Sequence, residues 1–145
     1  MVEYLNKLLA NFVVMEYKVH SIHTDIVGSL FLDVHTLLWE IYNFFWSSNR
    51  DSIKERVRIL RSFTPSSLSE LIDLSEINEI SKVPSLVRSL ETVFADLEML
   101  EKCLTEWCDI AKDDLVTQNI LIDFNTEIGK FRRKIESVLA KATLV

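Results

Sequence analysis

Glycine and proline are scarce, with two of each in 145 residues. Average usage would supply roughly seventeen of the two together, so a turn-rich β-sandwich or barrel is excluded and long helices with few turns are expected. Cysteine is equally sparse. Cys103 and Cys108 lie five residues apart in one helical segment, which points them to different sides and forbids a local bridge. They read as buried or free thiols in a reducing compartment. Basic charge is outnumbered, 16 Lys and Arg against 22 Asp and Glu, for a net charge of −6. Lys7 is the one basic residue among the first seventeen, so DNA binding by bulk charge or a basic tail is predicted to be weak or absent. Long apolar runs are missing too. The most hydrophobic stretch, Ile26 to Trp46, is interrupted by Asp33, His35 and Glu40, which predicts no membrane span. The amino terminus carries no basic leader pattern, and cytoplasmic residence is the expectation.

What the chain has in quantity is apolar periodicity, with 48% hydrophobic residues and no strand pattern anywhere. Leu5, Leu8, Leu9, Phe12, Val13, Val19, Ile22 and Ile26 recur at three- and four-residue spacing and predict a first helix from about Val2 to Val27, ended by Gly28. After the link from Gly28 to Phe31, Val34, Leu37, Leu38, Ile41, Phe44, Phe45, Ile53, Val57 and Leu60 predict one second long helix reaching about Arg61. Pro65 and Ser66 open a short helix around Leu68 to Leu71. A third helix starts after Pro84 and Ser85 and carries the stripe Leu86, Leu90, Val93, Leu97, Leu100, Leu104, Trp107 and Ile110. Asp113 or Asp114 caps a fourth, marked by Ile120, Leu121, Phe124, Ile128, Phe131, Ile135, Val138 and Leu139. Residues 1–145 therefore read as a single all-α domain. Four long helices with a short crossover helix between helices 2 and 3 describe a ferritin-like four-helix bundle. So much apolar material in so small a chain predicts burial against copies of itself.

Chemistry-bearing residues concentrate early. His20, His23 and His35 are the only histidines, and His20 and His23 share one helical face at i,i+3 spacing. Imidazoles so placed suit a transition metal, or they are partly buried polar spacers at a helix interface. Asp51 and Glu55 sit four apart, a spacing that suits a metal as well as a solvated face paired with Lys54, Arg56 and Arg58. The Glu-x-x-His diiron motif, Gly-rich phosphate loops, Cys-x-x-Cys and His-Glu-x-x-His are all absent.

The run Lys18-Val19-His20-Ser21-Ile22-His23, followed by Gly28, Phe31, His35 and Tyr42, resembles the first half of Dps, the miniferritins named as DNA-binding proteins from starved cells. That family's pattern is Lys-x-His-x-x-His-Trp, a Gly five residues after the second His and a third His twelve after it; both spacings agree here. Asp51-x-x-x-Glu55-Arg56 looks like the family's Asp-x-x-x-Glu-Arg segment, Pro65 with Leu68 fits its crossover helix, and Asp113-Asp114 with Thr117 to Leu121 fits the start of its last helix. The resemblance spans about residues 15–140. It implies a hollow dodecamer whose iron site lies between two subunits, with His23 and His35 from one chain and Asp51 and Glu55 from the other. His20 matches a position beside that site. Iron(II) would be oxidised there by hydrogen peroxide and stored, limiting oxidative damage, with zinc as a possible substitute metal.

Two departures accompany the match. Trp39 stands where the family has a bridging carboxylate, and Glu40 could replace it only by reaching about 100° around the helix. Sixteen residues separate His35 from Asp51 against fifteen in the family, so a strictly regular helix puts Arg50 and Lys54 in the ligand positions. A one-residue π-bulge between Asn43 and Arg50 would restore Asp51 and Glu55. In the alternative reading the chain is a cage protein with a degenerate, inactive site, and Trp39 is a buried packing residue.

Overall fold

A computed structural model of the chain describes residues 1–28 and 30–144, with side chains described as far as residue 140. Ser29, part of the expected link, lies outside the described residues. Six helices follow in order: α1 (Val2–Asp25), α2 (Phe31–Phe45), α3 (Ser47–Ile59), α4 (Leu68–Leu74), α5 (Leu86–Ile110) and α6 (Leu115–Leu144). Among the described residues there is no strand, and no helix is long and apolar enough to cross a membrane. The chain divides into two compact units.

The first unit comprises Met1–Ile26 and Val34–Val83. Its long elements α1 and α2 form an antiparallel hairpin, seen in the pairing of Phe12 with Phe45 and of His23 with His35. The Phe12 and Phe45 rings meet edge to face at 4.9 Å, a geometry that suits the aromatic quadrupole. Most of the apolar stripe read from the sequence is the buried face: Leu5, Leu8, Leu9, Phe12, Val19, Ile22 and Ile26 are buried, Val13 is half-buried, and Met15 joins the core beside them. After α4, the chain is tied back to α1 by two polar anchors. Buried Asn11 accepts from the Glu76 backbone N–H at 2.7 Å and from Ser75 Oγ at 3.0 Å, and Lys18 Nζ donates to the Asn78 carbonyl at 2.7 Å. Ser67 caps α4 by accepting from the Glu70 N–H.

The single second helix expected from the sequence is two helices, and neither a regular helix nor a π-bulge describes it. The chain breaks at Trp46, which is extended (φ −105°, ψ −168°), and at Ser47, which takes a left-handed φ of 62°. The cause is packing. Phe45 and Ile53 are eight residues apart, which puts them about 80° apart on a regular helix, yet both are fully buried. Inserting one non-helical residue returns Ile53 and Val57 to the core side. Asn49 Nδ2 donates to the Phe44 carbonyl at 2.8 Å, satisfying a group that the interrupted ladder would leave orphaned.

The second unit holds Val27–Asp33 and the chain from Pro84 onward. Gly28 adopts φ +134°, a conformation that an L side chain rarely takes, so the end of α1 falls at Asp25 and the turn requires glycine. Asp114 caps α6 through the Thr117 N–H and hydroxyl, which selects it over Asp113. Helices α5 and α6 pack antiparallel: Gln118 reaches the Cys108 carbonyl, Asn125 reaches Thr105, and Arg132 Nε reaches Glu101 at 2.8 Å. Cys103 and Cys108 are half-buried and form no disulfide with each other, as the spacing predicts.

Candidate metal centre

The histidines gather on one end of the α1–α2 hairpin. Helical spacing on α1 stacks Glu16, His20 and His23 along one face, and the antiparallel return of α2 brings His35 and Tyr42 beside them. The His23 and His35 rings lie face to face, with centroids 3.8 Å apart and planes 20° from parallel. Each ring is fixed by the other's backbone. His23 Nδ1 lies 2.8 Å from the His35 carbonyl oxygen, and His35 Nδ1 lies 3.2 Å from the His23 carbonyl oxygen. A carbonyl only accepts, so both Nδ1 atoms carry the proton and donate. In the neutral rings, Nε2 is then the lone-pair nitrogen on both histidines, the state in which imidazole binds a metal.

Electrostatics favours that neutral state at His23. Burial pushes its pKa below the ordinary histidine value, repulsion from His35 and His20 acts in the same direction, and the bond to the His35 carbonyl opposes them. His20 stacks on the Tyr42 ring at 4.3 Å and has its Nδ1 3.6 Å from the Glu16 carboxylate. Tyr42 also meets His23 edge-on at 5.2 Å.

The acidic half of the expected site stands apart. Asp51 and Glu55 are exposed on α3, on the side away from buried Ile53 and Val57. Within one chain, no three His, Cys, Asp or Glu side chains among the described residues gather as a metal site. Glu40 is half-buried on α2. Trp39, one turn beyond His35, is 51% exposed rather than buried, so the packing role expected of it in the cage reading is not fulfilled within the chain. Arg50 turns toward α1, with its guanidinium 4.5 Å above the Trp46 ring and 3.8 Å from the Glu16 carboxylate.

Sequence reasoning missed Glu16 and the break at Trp46. The first had a signal in its i,i+4 spacing to His20; the second had the polar triplet Ser47-Ser48-Asn49 inside an apolar helix pattern.

No family model matches the chain. Among characterised proteins, antigen TpF1 of Treponema pallidum is 33% identical over 131 residues, covering 88% of this chain and 73% of its own. DNA protection during starvation protein 2 of Bacillus anthracis is 28% identical over 131 residues, 89% of each chain. Among solved structures, Dps from Staphylococcus aureus superposes with a TM-score of 0.89 at 27% identity, covering 95% of this chain and 93% of that one. The TpF1 structure gives 0.89 at 30% identity, with 95% and 90% covered. With its all-helical, ferritin-like fold and its paired histidines, the chain belongs to the Dps family.

Proposed function

We propose that the protein is a miniferritin that binds iron(II) between two copies of itself and oxidises it with hydrogen peroxide. The observation that carries this reading is the reciprocal bonding of His23 and His35, which sets two adjacent imidazoles in the metal-binding tautomer. Iron(II) is the substrate. His23 and His35 supply nitrogen donors from one chain, while Asp51 and Glu55, exposed and unconverged within the chain, supply oxygen donors from the neighbour. Such a mixed set suits iron or zinc. Two iron(II) ions give one electron each to a peroxide molecule, which with two protons leaves as two waters, and the ferric product is stored. Removing both iron(II) and peroxide limits hydroxyl-radical damage in the cytoplasm. Relatives are named for DNA protection during starvation, and here that protection is chemical, because the net charge of −6 disfavours direct DNA binding.

Assembly is supported by exposed apolar side chains on one face of the first unit. Tyr17, Leu68 and Ile72 line a groove of about 430 Å³ between α1 and α4. We expect twelve chains of 16.9 kDa, roughly 200 kDa, in a closed point-group assembly. Light scattering that finds a stable monomer at micromolar concentration contradicts it.

The decisive assay is anaerobic iron(II) titration followed by peroxide, with ferric absorbance as the readout. Saturable iron(II) binding and a peroxide-dependent ferric signal are expected. A second reading, a Dps-fold cage with an inactive site, is favoured by Trp39, which puts an indole where the family has a carboxylate. It predicts an intact oligomer with no ferric signal beyond the protein-free control.

A further inference from the structure

The break between α2 and α3 is held by a side-chain clamp. Arg50, in the first turn of α3, lays its guanidinium over the indole of Trp46 at 4.5 Å and meets the Glu16 carboxylate of α1 at 3.8 Å. Its Nε and Nη2 atoms are buried and make no hydrogen bond among the described residues, and both Arg50 and Glu16 are only about a fifth exposed. A guanidinium gives up water for a long ion pair and an aromatic face only where the surrounding structure holds it there. The residue next to it is Asp51.

We infer that Arg50 is a positioning residue for the carboxylates of α3: gripped between Trp46 and Glu16, it fixes the first turn of that helix on α1 and sets the direction in which Asp51 is presented to a second copy. This rests on the reading of Asp51 as an iron ligand. The clamp answers the register problem of the sequence, because the cation that a regular helix would have put into the site is turned onto the opposite partner, Glu16. Charge and shape both contribute. An apolar side chain at position 50 would keep the bulk and lose the pair, while exchanging the two charges would keep the pair.

The test compares four variants of the full-length assembled protein by anaerobic iron(II) titration and by peroxide-driven rate against iron concentration. Arg50→Met should weaken iron(II) binding by about ten- to a hundredfold, the usual effect of losing a group that orients a ligand, while the rate at saturating iron stays near that of the parent. Glu16→Gln should give a smaller loss in the same direction. The exchange Glu16→Arg with Arg50→Glu restores the ion pair but not the contact with the Trp46 ring, and should recover part of the affinity lost in Arg50→Met. Asp51→Asn is the reference. If it leaves iron affinity unchanged, the ligand reading itself fails. If Asp51→Asn weakens binding while Arg50→Met and Glu16→Gln do not, the clamp is overturned and the ligand reading stands. Should Arg50→Met not assemble, Glu16→Gln and the charge exchange decide alone: unchanged affinity in the first, or none recovered in the second, overturns the clamp.

Discussion

Two antiparallel helical hairpins in this chain are built alike and differ in what stitches them. In α5–α6 the charged cross-helix contact is an ion pair, Arg132 with Glu101, reinforced on the same helix by Glu136 and lying in partly exposed surroundings. In α1–α2 the contacts are stacked rings, His23 on His35 and His20 on Tyr42, with Nδ1 of His23 and of His35 bonded to backbone carbonyls. An exposed ion pair is satisfied and has nothing left to offer. A stacked imidazole pair bonded through Nδ1 keeps a second nitrogen on each ring for chemistry. The difference explains why the proposed site falls at the α1–α2 hairpin rather than at α5–α6.

The sharpest way to break the comparison is to remove one ring. His35→Ala should abolish saturable iron(II) binding and the peroxide-dependent ferric signal. It also takes away the stacking partner of His23, at a cost of about 1–3 kcal/mol for the lost contacts. Thermal unfolding and the ferric assay together measure both effects. By contrast, Arg132→Met should cost about 1 kcal/mol or less, because exposed pairs contribute little, and should leave iron chemistry untouched.

Between these extremes lies Trp39→Asp, which places a carboxylate one turn beyond His35. Iron affinity and peroxide-driven oxidation should both rise, by about tenfold for one added charge-bearing ligand. The packing cost should be small, since half of the indole is already exposed. An unchanged rate with the cage intact would favour the structural reading over the enzymatic one.

Acidification gives a smaller and signed effect. The folded-state pKa of His23 lies below its unfolded value because burial penalises the charged ring. The unfolded state therefore binds the proton more readily, and the stability held at neutral pH is lost as pH falls from about 6.5 through the folded-state value. Denaturant midpoints should drop over that range in the parent protein and drop less in His23→Asn, whose side chain does not titrate there.

The helix break defines how far sequence reading reached. Apolar stripes located the helices because burial demands them, and Leu90 to Trp107 on α5 is as buried as its spacing requires. The break escaped because Phe45 and Ile53, eight residues apart, still satisfy a loose four-residue rhythm; the 80° error shows only when both must reach the same core. The histidines were legible from spacing alone, whereas their tautomer was not, since it depends on carbonyls twelve residues away in the chain. Deleting Ser47 sharpens this account. Phe45 and Ile53 would then be seven apart and nearly in line, the left-handed residue would be gone, and α2 and α3 should fuse with thermal stability equal to or slightly above the parent.

The central claim is that histidines of one chain and carboxylates of another make one site, and subunit mixing tests it most directly. His35→Ala and Asp51→Asn homo-oligomers should each fail to produce peroxide-dependent ferric signal. Unfolded together and co-assembled in equal amounts, they should recover about a quarter of the parent signal, because half of the two-fold pairs are mixed and each mixed pair holds one intact site of two. A mixed assembly as inactive as its parents, with its size confirmed by light scattering, would contradict a shared site.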